Sequence, residues 1–318
     1  MLVPLTEVLK QAEKGGPGNT PSAVASLNIV DFDMVRALLA AAEELRSPVI
    51  ISVATRHWKQ IDAPALAPSI RELCRRADVP VTLHLDHASK TQIDIIEAAL
   101  EAGFTSVMID GSKEEYDENL RITREVTAMA HAGGVSVEGE LGAVGGEEGV
   151  AEYVDAEVHG QADSGTAAAG DGRPEASHGE KNGAADTKES QAPYTDPVMA
   201  RKFVEASRID ALAVAVGTAH GLYKSEPRIR LDLISRIAEN CPVPLVMHGA
   251  SGIPSDTIRA SIARGIRKIN YFSGFMVRAM ETVRESNRPE SNDYLGLRDR
   301  LMAAWRDEAK KQIRLYRG

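Results

Sequence analysis

Short runs rich in Val, Ile, Leu and Ala recur along the chain, and a stretch with helical spacing follows each. The runs are Val24–Asn28, Val49–Val53, Val81–His84, Ser106–Asp110, Val135–Glu140, Ala211–Val216, Leu245–His248 and Ile266–Asn270. Several are nearly continuous in apolar residues rather than alternating, as strands buried on both faces of a parallel sheet are. Between them, Met34–Leu45, Ile93–Ala102, Leu120–Ala132, Val198–Ser207 and Leu231–Glu239 place apolar residues at i, i+3 and i+4. Pro48, Pro80 and Pro244 stand just before their runs, where a missing N–H is tolerated. Eight strand–helix alternations predict an α/β protein, a closed (β/α)8 TIM barrel; a doubly wound open sheet, the alternative, usually needs fewer strands. The stretch Tyr294–Arg314 reads as a further helix.

One segment departs from the pattern. From Gly160 to Ala192 there is no Leu, Ile, Val, Met or aromatic residue. It cannot bury enough apolar surface to offset the entropy of ordering. We read 160–192 as a flexible low-complexity insertion in the loop after strand five, within one domain spanning 1–318. That length, 318 residues, suits a barrel of about 250 residues with an insertion. The string Gly165-Thr-Ala-Ala-Ala-Gly170 lacks the Lys-Ser/Thr ending of a phosphate loop.

Charge narrows the partners. Lys and Arg number 37 against 46 Asp and Glu, a net charge of −9. This excludes the basic footprint of a nucleic-acid binder, but a local site can still oppose the global field and take an anionic substrate. Cys74 and Cys241 stand alone, with no CxxC pair. The opening residues lack a basic region followed by an apolar one, and no apolar run approaches 18 residues. The expectation is a soluble cytoplasmic protein with no membrane and no nucleic-acid partner.

Barrel active sites form at the carboxyl ends of the strands. There the chain carries His84-Leu-Asp-His87 after run three, Glu138-Gly-Glu140 after run five, and Gly217-Thr-Ala-His220-Gly221 after run six. His248-Gly-Ala-Ser251-Gly252 ends run seven, and Asn270-Tyr-Phe-Ser273-Gly274 ends run eight. Three histidines from three strand ends make the ligand set of a catalytic Zn²⁺ with one open position. His57, His131, His159 and His178 lack this placement. Small residues before helix starts at 249–252 and 270–274 fit a barrel phosphate site, with backbone N–H groups aimed at the anion. Glu147 and Glu148 follow in a Gly-rich loop where a carboxylate can swing in as a base.

These residues resemble a family. Val81-Thr-Leu-His-Leu-Asp-His-Ala88 and Val137-Glu-Gly-Glu-Leu-Gly-Ala-Val-Gly-Gly-Glu-Glu148 are similar to the two signature segments of the class II, metal-dependent ketose-bisphosphate aldolases. The likeness continues through Ser106–Ser112, Val216–Tyr223, Met247–Ser251 and Lys268–Asn270, and Tyr194-Thr-Asp-Pro197 resumes it after the insertion. The resemblance implies Zn²⁺ on His87, His220 and His248, with Glu140 as an alternative ligand or a contact behind them. It implies Asp86 as proton donor to the aldehyde oxygen in condensation and Glu148 as the base acting on dihydroxyacetone phosphate. Asn28, Gly221, Gly249, Ala250, Ser251, Asn270 and Ser273 would bind substrate, with Tyr271 and Phe272 offering backbone. A monovalent cation, a phosphorylated sugar substrate and a homodimer or homotetramer are implied as well.

The departures fall on one side. The family's Ala-Phe-Asn after strand one is Ser26-Leu27-Asn28 here, and its serine after strand two is Ala54, followed by Thr55-Arg56-His57. The expected reaction is reversible cleavage of fructose 1,6-bisphosphate. The alternatives are a tagatose-1,6-bisphosphate or related aldolase and a non-catalytic metal- or sugar-phosphate-binding homologue. A class I aldolase would need a Schiff-base lysine, and Lys268 is the barrel lysine available. Deleting Gly160–Ala192 behind a short linker is expected to leave the melting temperature nearly constant, because closure entropy changes by only about 0.6 kcal/mol per doubling of loop length. A large loss of thermal stability in a differential scanning experiment would show that the segment packs against the barrel.

Overall fold

The apolar runs become strands because both of their faces are covered. The computed structural model describes residues 1–145, 153–154, 194–286 and 293–318. Its strands are β1 (Val24–Asn28), β2 (Val49–Ala54), β3 (Val81–Ala88), β4 (Ser106–Ile109), β5 (Ser136–Leu141), β6 (Tyr153–Val154), β7 (Ala211–Val214), β8 (Leu222–Tyr223), β9 (Leu245–Met247) and β10 (Ile266–Tyr271). Eight of them close a barrel in the order β1-β10-β9-β7-β5-β4-β3-β2, every pairing parallel. The two-residue strands β6 and β8 pair outside it. The (β/α)8 barrel read from the sequence is therefore the fold. The insertion expected at 160–192 lies outside the described residues.

Period-two alternation sorts each strand into an outward and an inward set. Outward residues such as Leu27, Ile51, Val53, Leu83, Val107 and Leu212 join the outer core with Met34, Leu38, Ile96, Phe203 and Ile234 of the helices. The inward residues change character along the barrel axis. At the floor, Val24, Ile50, Met108, Ala211, Ala213 and Val246 cluster with Val3 and with Leu5, Val8, Leu9 and Ala12 of the helix Leu5–Glu13. Val3 N–H donates to Val81 O at 2.9 Å and Val81 N–H to Met1 O at 2.8 Å, which ties this plug to the start of β3. Above the floor lie hydroxyls, among them Ser26 and Ser52 with their Oγ atoms 2.7 Å apart. Above these, buried Asn28, Asp86, Glu138, Glu140, His248, Lys268 and Asn270 crowd the carboxyl ends.

Helices form where caps and apolar spacing agree. Asp31 accepts from Met34 N–H at 2.7 Å and caps Phe32–Glu44; Asp196 caps Pro197–Ser207 by accepting from Val198 and Met199 N–H, both at 2.9 Å. The C-terminal helix, Tyr294–Arg317, packs on Phe32–Glu44 through ion pairs of Arg298 with Asp33 and Lys310 with Glu44. No helix among the described residues is long and apolar enough to cross a membrane.

The floor plug carries a stability cost that can be read separately from the site. Leu5 is fully buried, so Leu5→Ala should destabilise by about 2–5 kcal/mol in urea titration. A loss below about 1 kcal/mol would mean that the helix does not pack into the barrel.

Candidate active site

An irregularity in β3 makes the site possible. Leu85 pairs with Val107 and Ala88 with Ile109, so three steps along β3 match two along β4. This bulge contains His87 in a left-handed conformation, φ 53°. Consecutive strand residues normally face opposite sides, and a bulge re-aims one of them. Asp86 points into the barrel and His87 toward its mouth. Thr55, at the end of β2, secures the turn by donating its hydroxyl to His87 O at 2.6 Å.

Three imidazoles converge at the mouth. Ring centroids of His87 lie 4.5 Å from His248 and 4.9 Å from His220, and those two lie 5.8 Å apart. Carboxylates set two of the tautomers. His87 Nδ1 faces Asp110 Oδ2 at 3.1 Å, and His248 Nε2 faces Glu138 Oε1 at 2.9 Å. Burial works against the charge of Asp110, but His87 and two bonds from Ser112 outweigh it and hold the carboxyl well below its ordinary range. Burial likewise opposes Glu138, yet Lys268 and His248 bring it down to about 2. An ionised carboxylate only accepts, so the protons sit on His87 Nδ1 and His248 Nε2. The remaining lone pairs, on His87 Nε2 and His248 Nδ1, then face each other at 2.7 Å. Two nitrogen lone pairs this close repel unless a cation or a proton lies between them, and the Asn270 amide 3.3 Å from His248 Nδ1 does not lie between the two rings' facing atoms as a shared ligand would. Burial and the neighbouring imidazoles push His220 and His248 down in pKa, toward the neutral form that ligates metal. His87, His220 and His248 therefore fit a metal ion, with the carboxylate–histidine support that metal sites use. Glu140 Oε2, buried with no hydrogen-bond partner among the described residues and 3.9 Å from His87 Nδ1, is a further oxygen donor beside them.

Beneath lies a second cluster, His84, Asp86 and Glu138, and an ammonium already fills it. Lys268 Nζ is 2.8 Å from Glu138 Oε2 and 3.4 Å from His84 Nε2, and all are fully buried. His84 Nδ1 is 2.8 Å from Ser106 Oγ. Asp86 accepts from Asn28 Nδ2 at 2.9 Å and from Asn270 Nδ2 at 3.1 Å. Burial raises its pKa, but His87, His84 and Lys268 together hold it well below the usual carboxylate range.

Two cavities flank the imidazoles. His220, Gly221, Gly249, Ala250, Ser251, Asn270, Tyr271, Phe272 and Ser273 line a tight one, which gathers the expected substrate-binding residues apart from Asn28, whose amide is on Asp86 instead. Ser251 Oγ accepts from Phe272 and Gly274 N–H, each at 3.4 Å, as the helix Ser273–Ser286 begins. A larger cavity of about 410 Å³ opens on the other side, lined by Ala54, Thr55, Arg56, His87, Asp110 and Glu140 among others. Glu148 lies outside the described residues, as do His159 and His178. Two described pieces of chain after β5 meet the His220 segment: Gly145 bridges Ala219, and β6 pairs with β8. His131 bonds Asp210 at 2.9 Å, far from the site, whereas His57 packs against Phe272 with the rings tilted by 42° and their centroids 5.1 Å apart. Asp110, Glu138 and His84 had no assigned role in the sequence reading, and Lys268 entered it only as the lysine available to a Schiff-base alternative. The available signal was parity: Glu138 and Glu140 share one face of β5, as His84 and Asp86 share one face of β3.

Comparison with known proteins agrees with this geometry. The family model for fructose-bisphosphate aldolase class-II matches residues 3–317. YdjI of Escherichia coli K12 is 33% identical over 94% of this chain and 93% of its own. The crystal structure of the YdjI aldolase superposes with a TM-score of 0.77 at 30% identity, covering 99% of this chain and 97% of that one. The fructose-bisphosphate aldolase of Geobacillus stearothermophilus is 34% identical over 92% of this chain and 88% of its own. The D-tagatose-1,6-bisphosphate aldolase subunit GatY of Klebsiella oxytoca is 31% identical over 92% and 90%.

The buried ion pair predicts non-additivity. Lys268→Met alone strands the Glu138 carboxylate and should destabilise by about 3–5 kcal/mol. Adding Glu138→Gln should recover part of that loss. Denaturant titration of both single variants and the double variant closes the cycle; strictly additive losses would show that the pair is not coupled.

Proposed function

The chain belongs to the class II fructose-bisphosphate aldolase family, and from that premise we propose that it reversibly cleaves a ketose 1,6-bisphosphate, fructose 1,6-bisphosphate foremost, to dihydroxyacetone phosphate and glyceraldehyde 3-phosphate. It is an aldehyde-lyase, and we assign it Zn²⁺ on His87, His220 and His248. The observation that carries the reading is the pair of imidazole lone pairs aimed at one point beside an ionised, doubly amide-bonded Asp86.

When bound there, the metal supplies a Lewis acid that polarises the ketone carbonyl. The chain's own groups do the rest. In the cleavage direction Asp86 accepts the proton of the C4 hydroxyl; Asn28 and Asn270 keep its oxygens oriented, and its low pKa keeps it ionised and ready to accept. The C3–C4 bond breaks, the aldehyde departs, and the electron pair stays on the three-carbon ketone. Glu148, acting as an acid in this direction, returns a proton to its C3. In condensation both roles reverse. Backbone groups of Gly221, Gly249–Ser251 and Asn270–Ser273 hold the phosphate of the ketone in the tight cavity, with the start of the helix Ser273–Ser286 favouring the anion. The larger cavity takes the aldehyde. A tagatose 1,6-bisphosphate is the second reading, favoured by the likeness to GatY. We assign the assembly as a homodimer or homotetramer.

The division of proton roles is the test. Asp86→Ala should suppress cleavage while solvent exchange of the α-proton of dihydroxyacetone phosphate, followed by NMR, stays measurable; Glu148→Ala should suppress the exchange itself. Each is expected to cost about 10²–10⁴ in rate. Equal effects of the two changes on both reactions, or no cleavage of any ketose 1-phosphate or 1,6-bisphosphate by the Zn²⁺-loaded wild type, would overturn the reading.

A further inference from the structure

We propose that Tyr223 is a positioning residue for the metal centre: its hydroxyl holds the loops of His220 and His248 together, and its backbone ties both to the loop after β5. The hydroxyl accepts from Ala219 N–H at 2.7 Å. It also lies 2.9 Å from Ala219 O and 2.8 Å from Gly249 O, with one proton to share between the two carbonyls. Ala219 directly precedes His220, and Gly249 directly follows His248. Three polar contacts from one oxygen therefore fix the peptide groups next to two of the three imidazoles.

The loops themselves are in close contact. Gly249 adopts φ 67°, and a Cβ there would lie 2.2 Å from Ala219 O. Two backbones this close turn carbonyl oxygens toward the same space, and Tyr223 supplies the donor that makes the arrangement tolerable. Burial pushes the phenol pKa well up, so it remains a donor at any working pH. Tyr223 does not line the tight cavity or the 410 Å³ cavity, so its action on the site passes through the histidine loops.

The backbone of the same residue reaches the other way. Val154 pairs with Tyr223 and Tyr153 with Leu222, while Gly145 bridges Ala219 and accepts from His220 N–H at 2.7 Å. The loop after β5 thus meets the 219–223 segment at both ends of that segment.

This inference rests on the metal-dependent aldolase reading, and the experiment separates the two. Tyr223→Phe keeps the ring and removes only the hydroxyl. In the full-length protein, stripped and then titrated with Zn²⁺ in competition with a chromogenic chelator, the metal dissociation constant should rise about 10–100-fold. In the Zn²⁺-loaded enzyme kcat should fall more than KM for the ketose changes. If the wild type binds no Zn²⁺ or cleaves no ketose phosphate, the functional reading fails. If the wild type does both and Tyr223→Phe binds Zn²⁺ as tightly, the positioning role fails, whatever happens to the melting temperature. Gly249→Ala, which drives the same loops apart, should weaken Zn²⁺ in the same assay. Should Tyr223→Phe not fold, unchanged affinity in Gly249→Ala overturns the proposal.

Discussion

An ammonium and a carboxylate 2.8 Å apart, Lys268 and Glu138, sit in the barrel interior with no access to water. Burying either charge alone would cost several kcal/mol. Together they organise what lies above them. Because Lys268 keeps Glu138 ionised, Glu138 can only accept, so His248 turns its other nitrogen to the mouth. The charge of the same ammonium also helps to keep Asp86 ionised. One buried cation thus sets the state of a metal-facing imidazole and of a proton-transferring carboxylate. The Schiff-base alternative falls with the class-II family match, and Lys268 instead serves as the partner of Glu138.

The fold was legible because the barrel buries both faces of its strands, so the runs were nearly unbroken in Val, Ile, Leu and Ala. Seven of the eight expected strand starts match the structure, and the fifth, expected at Val135, begins at Ser136. The converging histidines were legible because strand ends share one rim. Two kinds of feature were hidden. A bulge leaves no compositional mark: nothing in His84-Leu-Asp-His87 announces that His87 adopts φ 53°. Partners brought together by closure were hidden too, since Glu138 and His248, or Lys268 and His84, meet only when the register of the barrel is known. Asp110 read as the end of an apolar run, and only the structure shows it holding His87.

The departures of strands one and two from the family pattern have a structural address. Ser26 meets Ser52 across β1 and β2 below the site, a pairing of two small hydroxyls within the inner belt. Ala54 stands beside Asp86 in register and removes a hydroxyl from the wall of the larger cavity. Thr55 supplies one instead, but spends it on the His87 carbonyl. The two changes thus have different neighbours: Ser26 pairs in register with Asn270, below the tight cavity, while Ala54 lines the larger one.

The bulge in β3 has a mechanical meaning. Asp86 and His87 share a peptide bond, so their Cα atoms are held about 3.8 Å apart by covalent geometry. Loops around the mouth can open, close or be lengthened without altering the spacing of these two Cα atoms. A carboxylate and an imidazole on separate loops drift apart when one loop moves; joined by a single peptide unit, these two travel together.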